Sequence, residues 1–191
     1  MRRRGALSLA LLGALFALGC GARAAGTEAV EVDVDVSRAD EAPDGSKAVR
    51  VVRMIRKEPL AELLREQVTA AAASGERILV MTNAQYCRAC GRFLHALEDP
   101  RVRAALTGVV VVRVDVARYP GDIVPLGLDS YVMPGLFLLD EGGHARDGIS
   151  GAEWTDDTAA NIAPVIEAFV NERYRERKAP LPPRARHADE R

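Results

Sequence analysis

Two cysteines, Cys87 and Cys90, stand two residues apart in the stretch QYCRACGRF, from Gln85 to Phe93. Such a pair has three chemical uses: exchanging electrons with other thiols, forming half of a metal site, or closing a small structural bridge. A tetrahedral metal site needs two further ligands. No second C-x-x-C exists, and within the core of the chain only His95 and His144 are candidates, both at places that suit solvent-facing side chains. A bridge over two intervening residues closes a very short loop and gains little chain entropy. A purely structural role is therefore the less natural use, and thiol exchange the more natural one. Exchange needs a thiolate, which a helix N-terminus stabilises through its dipole and free amides. On that reading Cys87 attacks, and Cys90, one turn later on the same face and more buried, resolves the mixed disulfide. Arg88 adds a positive charge beside the thiolate.

The elements around the pair follow from hydrophobic periodicity. RILVMTN, from Arg77 to Asn83, is an apolar run of strand length leading into the cysteines. A helix is expected from the pair through Phe93, Leu94 and Leu97 to Asp99-Pro100, where Asp caps a new start and Pro takes its first position. VVVVRVDV, Val109 to Val116, is β-branched and reads as a buried strand. Upstream, VRVVRMI suits a short strand, and Leu60, Leu63, Leu64 and Val68 stand at helical spacing in a segment ended by Gly75. Downstream come a short helical piece around Ile123 to Leu128, a strand in MPGLFLLD, a turn at EGGH and a strand near Ala145 to Ser150. In the last helix Thr155 is the expected cap and Asp156 and Asp157 the first turn, with Ile162, Val165, Ile166, Phe169 and Val170 as one apolar stripe. Trp154 reads as a packing residue, and Glu98 and Asp99 as capping or solvent-facing.

The 191 residues leave room for one domain with segments at both ends, and a net charge of −1 gives no hint of nucleic-acid binding. The start is different in character. MRRRG is basic, and Ala6 to Leu18 carries no charge. As a helix it rises only about 20 Å, short of a bilayer core of about 30 Å. Residues 1–19 thus read as a secretory signal peptide, whose removal takes three arginines and no acid, moving the net charge from −1 to −4. Residues 20–48 read as an acidic tether, in which VEVDVDV suits an edge strand or a solvated linker equally. Residues 49–175 form the folded domain, and the charged, proline-rich residues 176–191 are expected to be disordered.

Two resemblances add to this. ALGC, Ala17 to Cys20, resembles the lipobox of bacterial lipoproteins, with Ala17 where leucine is usual; it implies that Cys20 is acylated. Ordinary cleavage after Ala22-Arg23-Ala24 is the alternative. The order of elements, the aromatic-C-x-x-C of Tyr86 to Cys90, and Met133-Pro134, with Pro134 44 residues after Cys90, resemble the thioredoxin superfamily. Together with the D-P-x-V segment Asp99 to Val102, they are most similar to the C-terminal thioredoxin-like domain of the DsbD disulfide reductases of the bacterial envelope. The match runs from about Arg77 to Val170.

The resemblance implies an α/β fold with a central mixed sheet flanked by helices, and catalytic Cys87 and Cys90. It implies a cis Met133–Pro134 bond beside Cys87, with Tyr86 shielding the site and Tyr86, Arg88, Met133 and Pro134 meeting the substrate. The redox group is the cysteine pair itself, with no other cofactor and no metal. The implied partners are envelope proteins with thiols or disulfides. Reduction or interchange is the implied direction, with electrons arriving from a membrane partner and a lipid anchor as the only membrane attachment. A metal-handling or non-catalytic binding module on the same fold is the other reading. Met81 stands where thioredoxins usually carry a buried aspartate, and Gly91 where lysine is common.

Overall fold

The computed structural model describes residues 49–55 and 57–182. The signal segment, Cys20, the VEVDVDV stretch and residues 183–191 lie outside the described residues. Five strands, β1 (Val51–Arg53), β2 (Arg77–Asn83), β3 (Val109–Asp115), β4 (Gly135–Leu139) and β5 (Ala145–Ser150), form one sheet in the order β1-β3-β2-β4-β5. β1, β3 and β2 run parallel, while β4 is antiparallel to β2 and β5 to β4. The helices are α1 (Leu60–Ala73), α2 (Arg88–Ala96), α3 (Pro100–Ala105) and α4 (Ala159–Val170).

Strand side chains alternate between faces, and this divides the core in two. Leu79 and Met81, Val109 and Val111, Leu136 and Leu138, and Ile149 face α2, α3 and α4. Ile78 and Val80, Val110, Val112 and Val114, and Phe137 face α1 and the Tyr119–Leu128 connection. Burial on both sides is what the continuous apolar runs of β2 and β3 require. The central strand β2 ends at Asn83, and the chain enters α2 at Cys87 after a short turn. α2 stops at Ala96, and α3 restarts at Pro100 with the Asp99 carboxylate accepting from Arg101 N–H at 2.8 Å, as the D-P pair predicts.

Three expectations need correction. α4 begins at Ala159 behind Thr158, not behind Thr155, and Asp156 and Asp157 precede it. The reason is Asp157: its carboxylate accepts from the indole N–H of Trp154 at 2.7 Å and from Arg92 at 2.6 Å, so it serves neighbours instead of the helix end. The Ile123–Leu128 piece is a run of turns, with Leu126 N–H bonded to Asp122 and Leu128 N–H to Ile123. Pro125 and Gly127, the latter at φ +69°, prevent a regular helix there, although Ile123, Leu126 and Leu128 are buried.

The third correction concerns the tail. Within residues 176–182, assigned by composition to a disordered end, Arg177, Lys178, Ala179 and Leu181 are tied to the domain. Glu153, fully buried, accepts from the Tyr174 hydroxyl at 2.7 Å, Lys178 N–H at 2.9 Å and Ala179 N–H at 3.3 Å. Arg177 bonds both oxygens of Asp147 and lies over the rings of Phe169 and Tyr174. A buried carboxylate without donors would be strongly unfavourable, so Glu153 fixes the course of the chain that supplies them.

Burial, the hydrogen bond to Glu153 and the charge of Glu153 push the Tyr174 phenol up to about 12, against about 10 for a free tyrosine. The neutral phenol therefore favours the folded state fully below pH ~10, and that contribution disappears as pH rises through about 12. Ultraviolet titration should show a phenolate forming near pH 12 that Tyr174→Phe lacks. The wild type should lose more stability than this variant across that window.

Candidate functional site

Cys87 is the N-cap residue of α2, extended at φ −70° and ψ 97°, and half-buried. Its carbonyl accepts the first helical bond from Gly91 N–H at 3.1 Å, and its Sγ accepts from Cys90 N–H at 3.1 Å. Cys90 is 3% exposed and lies in the core cluster with Met81 and Phe93. The two sulfurs are bonded, with the Cα atoms 5.2 Å apart. When this bond is reduced, an accessible sulfur sits where helix amides converge, and a covered sulfur sits one turn behind it. That division suits nucleophile and resolving thiol.

The peptide bond between Met133 and Pro134 is cis, as the sequence predicts. Met133 and Cys87 both pack against the cluster that contains Cys90, from β4's entry and α2's start respectively. Behind Pro134, Gly151 N–H donates to the Pro134 carbonyl at 2.8 Å. A Cβ on Gly151 would fall 2.9 Å from Pro134 Cδ and 3.0 Å from the Met133 carbonyl oxygen, so only glycine allows this approach. Here the strand order, the cysteine pair at a helix start and the cis-proline meet. The chain has a thioredoxin-like fold.

Comparison with known proteins returns no matching family model and no matching curated protein. Among solved structures, the chain is similar to Trichomonas vaginalis thioredoxin, at 24% identity and TM-score 0.44, covering 62% of this chain and 96% of that one. It is similar to the oxidised thioredoxin of Plasmodium falciparum, at 19% identity and TM-score 0.42, covering 64% and 98%. It is also similar to a disulphide isomerase from Xylella fastidiosa, at 17% identity and TM-score 0.42, covering 58% and 88%.

The remaining expected site residues lie at the rim. Arg88, exposed in the first turn of α2, has no ion-pair partner among the described residues, whereas Arg92 one turn on is matched by Asp157. Tyr86 does not shield the sulfurs in this structure. Its φ of +64°, uncommon for a non-glycine residue, turns the ring into solvent, and it is 91% exposed. Met81 is fully buried in the cluster that holds Cys90, and its thioether can take no proton.

Sequence reading missed two residues, Arg113 and Glu153. Arg113, half-buried in β3, stands in register with Met81 and donates to the buried Asn83 side chain at 3.1 Å. By strand alternation it lies on the face that α2 covers, bringing positive charge to that side. Trp154 packs as expected, stacked on Phe93 of α2 with ring centroids 6.0 Å apart, and Glu153 beside it, given no role by the sequence reading, is buried. Nothing in the stretch AEWTDD distinguishes a buried glutamate from a solvated one. His95 pairs with Glu98 at 3.3 Å, and His144 lies 3.8 Å from Asp140. No group of three or more His, Cys, Asp or Glu side chains converges among the described residues.

Two glycines separate site architecture from helix propensity. Gly151→Ala should destabilise the fold by about 1–3 kcal/mol, because the backbone of Met133 and the Pro134 ring must shift. Gly91→Ala, with nothing near its added methyl, should stabilise it by up to about 1 kcal/mol. Denaturant melts of both oxidised variants check the pair.

Proposed function

We propose that this protein is a thiol–disulfide oxidoreductase of the bacterial cell envelope, working towards reduction or interchange on exported proteins. The observation that carries the activity is the Cys87 Sγ, accessible at the start of α2 and bonded by Cys90 N–H, with buried Cys90 behind it. In the reducing direction the Cys87 thiolate attacks one sulfur of a substrate disulfide. That bond breaks, one substrate sulfur leaves as a thiolate and takes up a proton, and a mixed disulfide remains. Cys90 then loses its proton and attacks Cys87 Sγ, releasing the second substrate thiol and re-forming the Cys87–Cys90 bond. Two electrons pass from the protein to the substrate, and a dithiol partner must return them. The disulfide is the redox group, and this cycle calls for no other cofactor.

The envelope location rests on the signal-like segment and on ALGC, and the direction on the likeness to the DsbD reductases. No helix among the described residues is long and apolar enough to cross a membrane. The donor would then be a membrane protein that presents a dithiol to this domain, itself held by acyl chains on Cys20. Mass spectrometry of the mature N-terminus should find acylated Cys20 followed by Gly21. An unmodified chain beginning at Ala25 would refute the anchor and leave export standing.

Cysteine replacements test the activity. Cys90→Ser should accumulate mixed disulfides with envelope proteins, because Cys87 still attacks and nothing resolves the adduct. Cys87→Ser should trap few. Equal trapping by the two variants would reverse or abolish the assigned order of attack, and full function of Cys87→Ser in the cell would leave only a binding role.

A further inference from the structure

We infer that Tyr174–Leu181 is a strap whose hold on Glu153 sets the spacing between the two walls of the disulfide site, which makes Glu153 and Tyr174 positioning residues. The inference rests on the oxidoreductase reading and adds to it a group remote from the sulfurs.

The turn from Ser150 to Asp157 touches both walls. On one side Gly151 N–H is bonded to the Pro134 carbonyl at 2.8 Å, with no space between glycine and the Met133–Pro134 unit. On the other, Trp154 stacks on Phe93, which follows Cys90 by three residues in α2, with the ring planes 18° apart. The same turn reaches α2 again through Asp157, which joins the Trp154 indole N–H to Arg92. Between the two contacts lies Glu153, whose N–H closes the turn onto the Ser150 carbonyl.

The Glu153 carboxylate takes its donors from the strap. One oxygen accepts from the Tyr174 hydroxyl and Lys178 N–H, the other from Ala179 N–H. The strap is fixed beyond this point as well. Arg177 grips Asp147 of β5, and Leu181 packs beside Phe137 over Gly148. For stability alone, a buried apolar side chain would serve as well as a buried carboxylate. A carboxylate with three directed donors instead holds the turn at one height.

Spacing matters for a substrate that touches both walls. A polypeptide disulfide must meet Cys87 with its sulfur and the Met133–Pro134 ridge with its backbone, and small displacements of such a pair weaken the productive complex. A small disulfide meets only the sulfur. Insulin, with dithiothreitol as the electron source, and oxidised glutathione are the two probes.

Tyr174→Phe and Glu153→Gln should raise KM for insulin by roughly threefold to tenfold. The rate with oxidised glutathione and the reduction potential should stay at wild-type values. Emission from Trp154, the single tryptophan, reports that each variant is folded. An unchanged KM for insulin in folded Tyr174→Phe overturns the inference, as does an equal loss with both probes accompanied by a shifted potential. A wild type that reduces neither probe refutes the oxidoreductase reading separately. Hydrogen exchange at the Gly151 amide then decides the strap: faster exchange in Tyr174→Phe supports its hold on the turn, and equal exchange removes it.

Discussion

The hydrogen bond from Cys90 N–H to Cys87 Sγ is the interaction on which the rest of the molecule converges. It exists only because Cys87 occupies the N-cap of α2, where the chain is still extended and the helix amides are unsatisfied. That position in turn requires β2 to end at Asn83 in the middle of the sheet, with β3 on one side and β4 on the other. The apolar runs of β2 and β3 bury both faces there, and α2 must cross one of them with Cys90 and Phe93 inward. A pair of cysteines at the same spacing in a surface loop would have neither the amide nor the cover.

Charge around the pair is unbalanced. Arg88 and Arg113 bring positive charge to the start of α2 and to the sheet face beneath it, while Arg92 is neutralised by Asp157. Positive charge and helix amides both favour a Cys87 thiolate, which stabilises the dithiol form relative to the disulfide. Against this, Cys90 has an apolar thioether at Met81 for company, and the fully buried carboxylate among the described residues, Glu153, is committed to the strap. On the proposed oxidoreductase reading, attack by the first thiol is thus assisted, and deprotonation of the second would be left to water or to a more distant group. The two steps of exchange are tuned in opposite senses.

Much of this was legible in the residues. Alternation and β-branching located the strands, Asp99-Pro100 located the break between α2 and α3, and the cysteine spacing with Met133-Pro134 marked the candidate site. The errors share a physical cause: side chains whose partners lie far away in sequence. Thr155-Asp156-Asp157 looks like a helix start until Trp154 and Arg92 claim Asp157. The Ile123–Leu128 pattern has helical apolar spacing, yet Pro125 and Gly127 break it. The direction of the Tyr86 ring depends on one backbone angle that no composition reveals. Residues 176–182 look disordered because their charge and proline content carry no sign of buried Glu153, which accepts from Lys178 and Ala179 N–H.

The strap also alters what the sheet shows to other chains. β5 is an outer strand, and an open outer strand offers N–H and C=O groups to any extended polypeptide. Arg177 is bonded to Asp147 and Leu181 covers Gly148, and successive residues of a strand point to opposite faces. Four residues further on, the strap has therefore passed from one face of β5 to the other. An incoming strand would meet Arg177 on one face of β5 and Leu181 on the other. On the proposed oxidoreductase reading, the strap would thereby hinder an extended substrate segment from pairing with this strand.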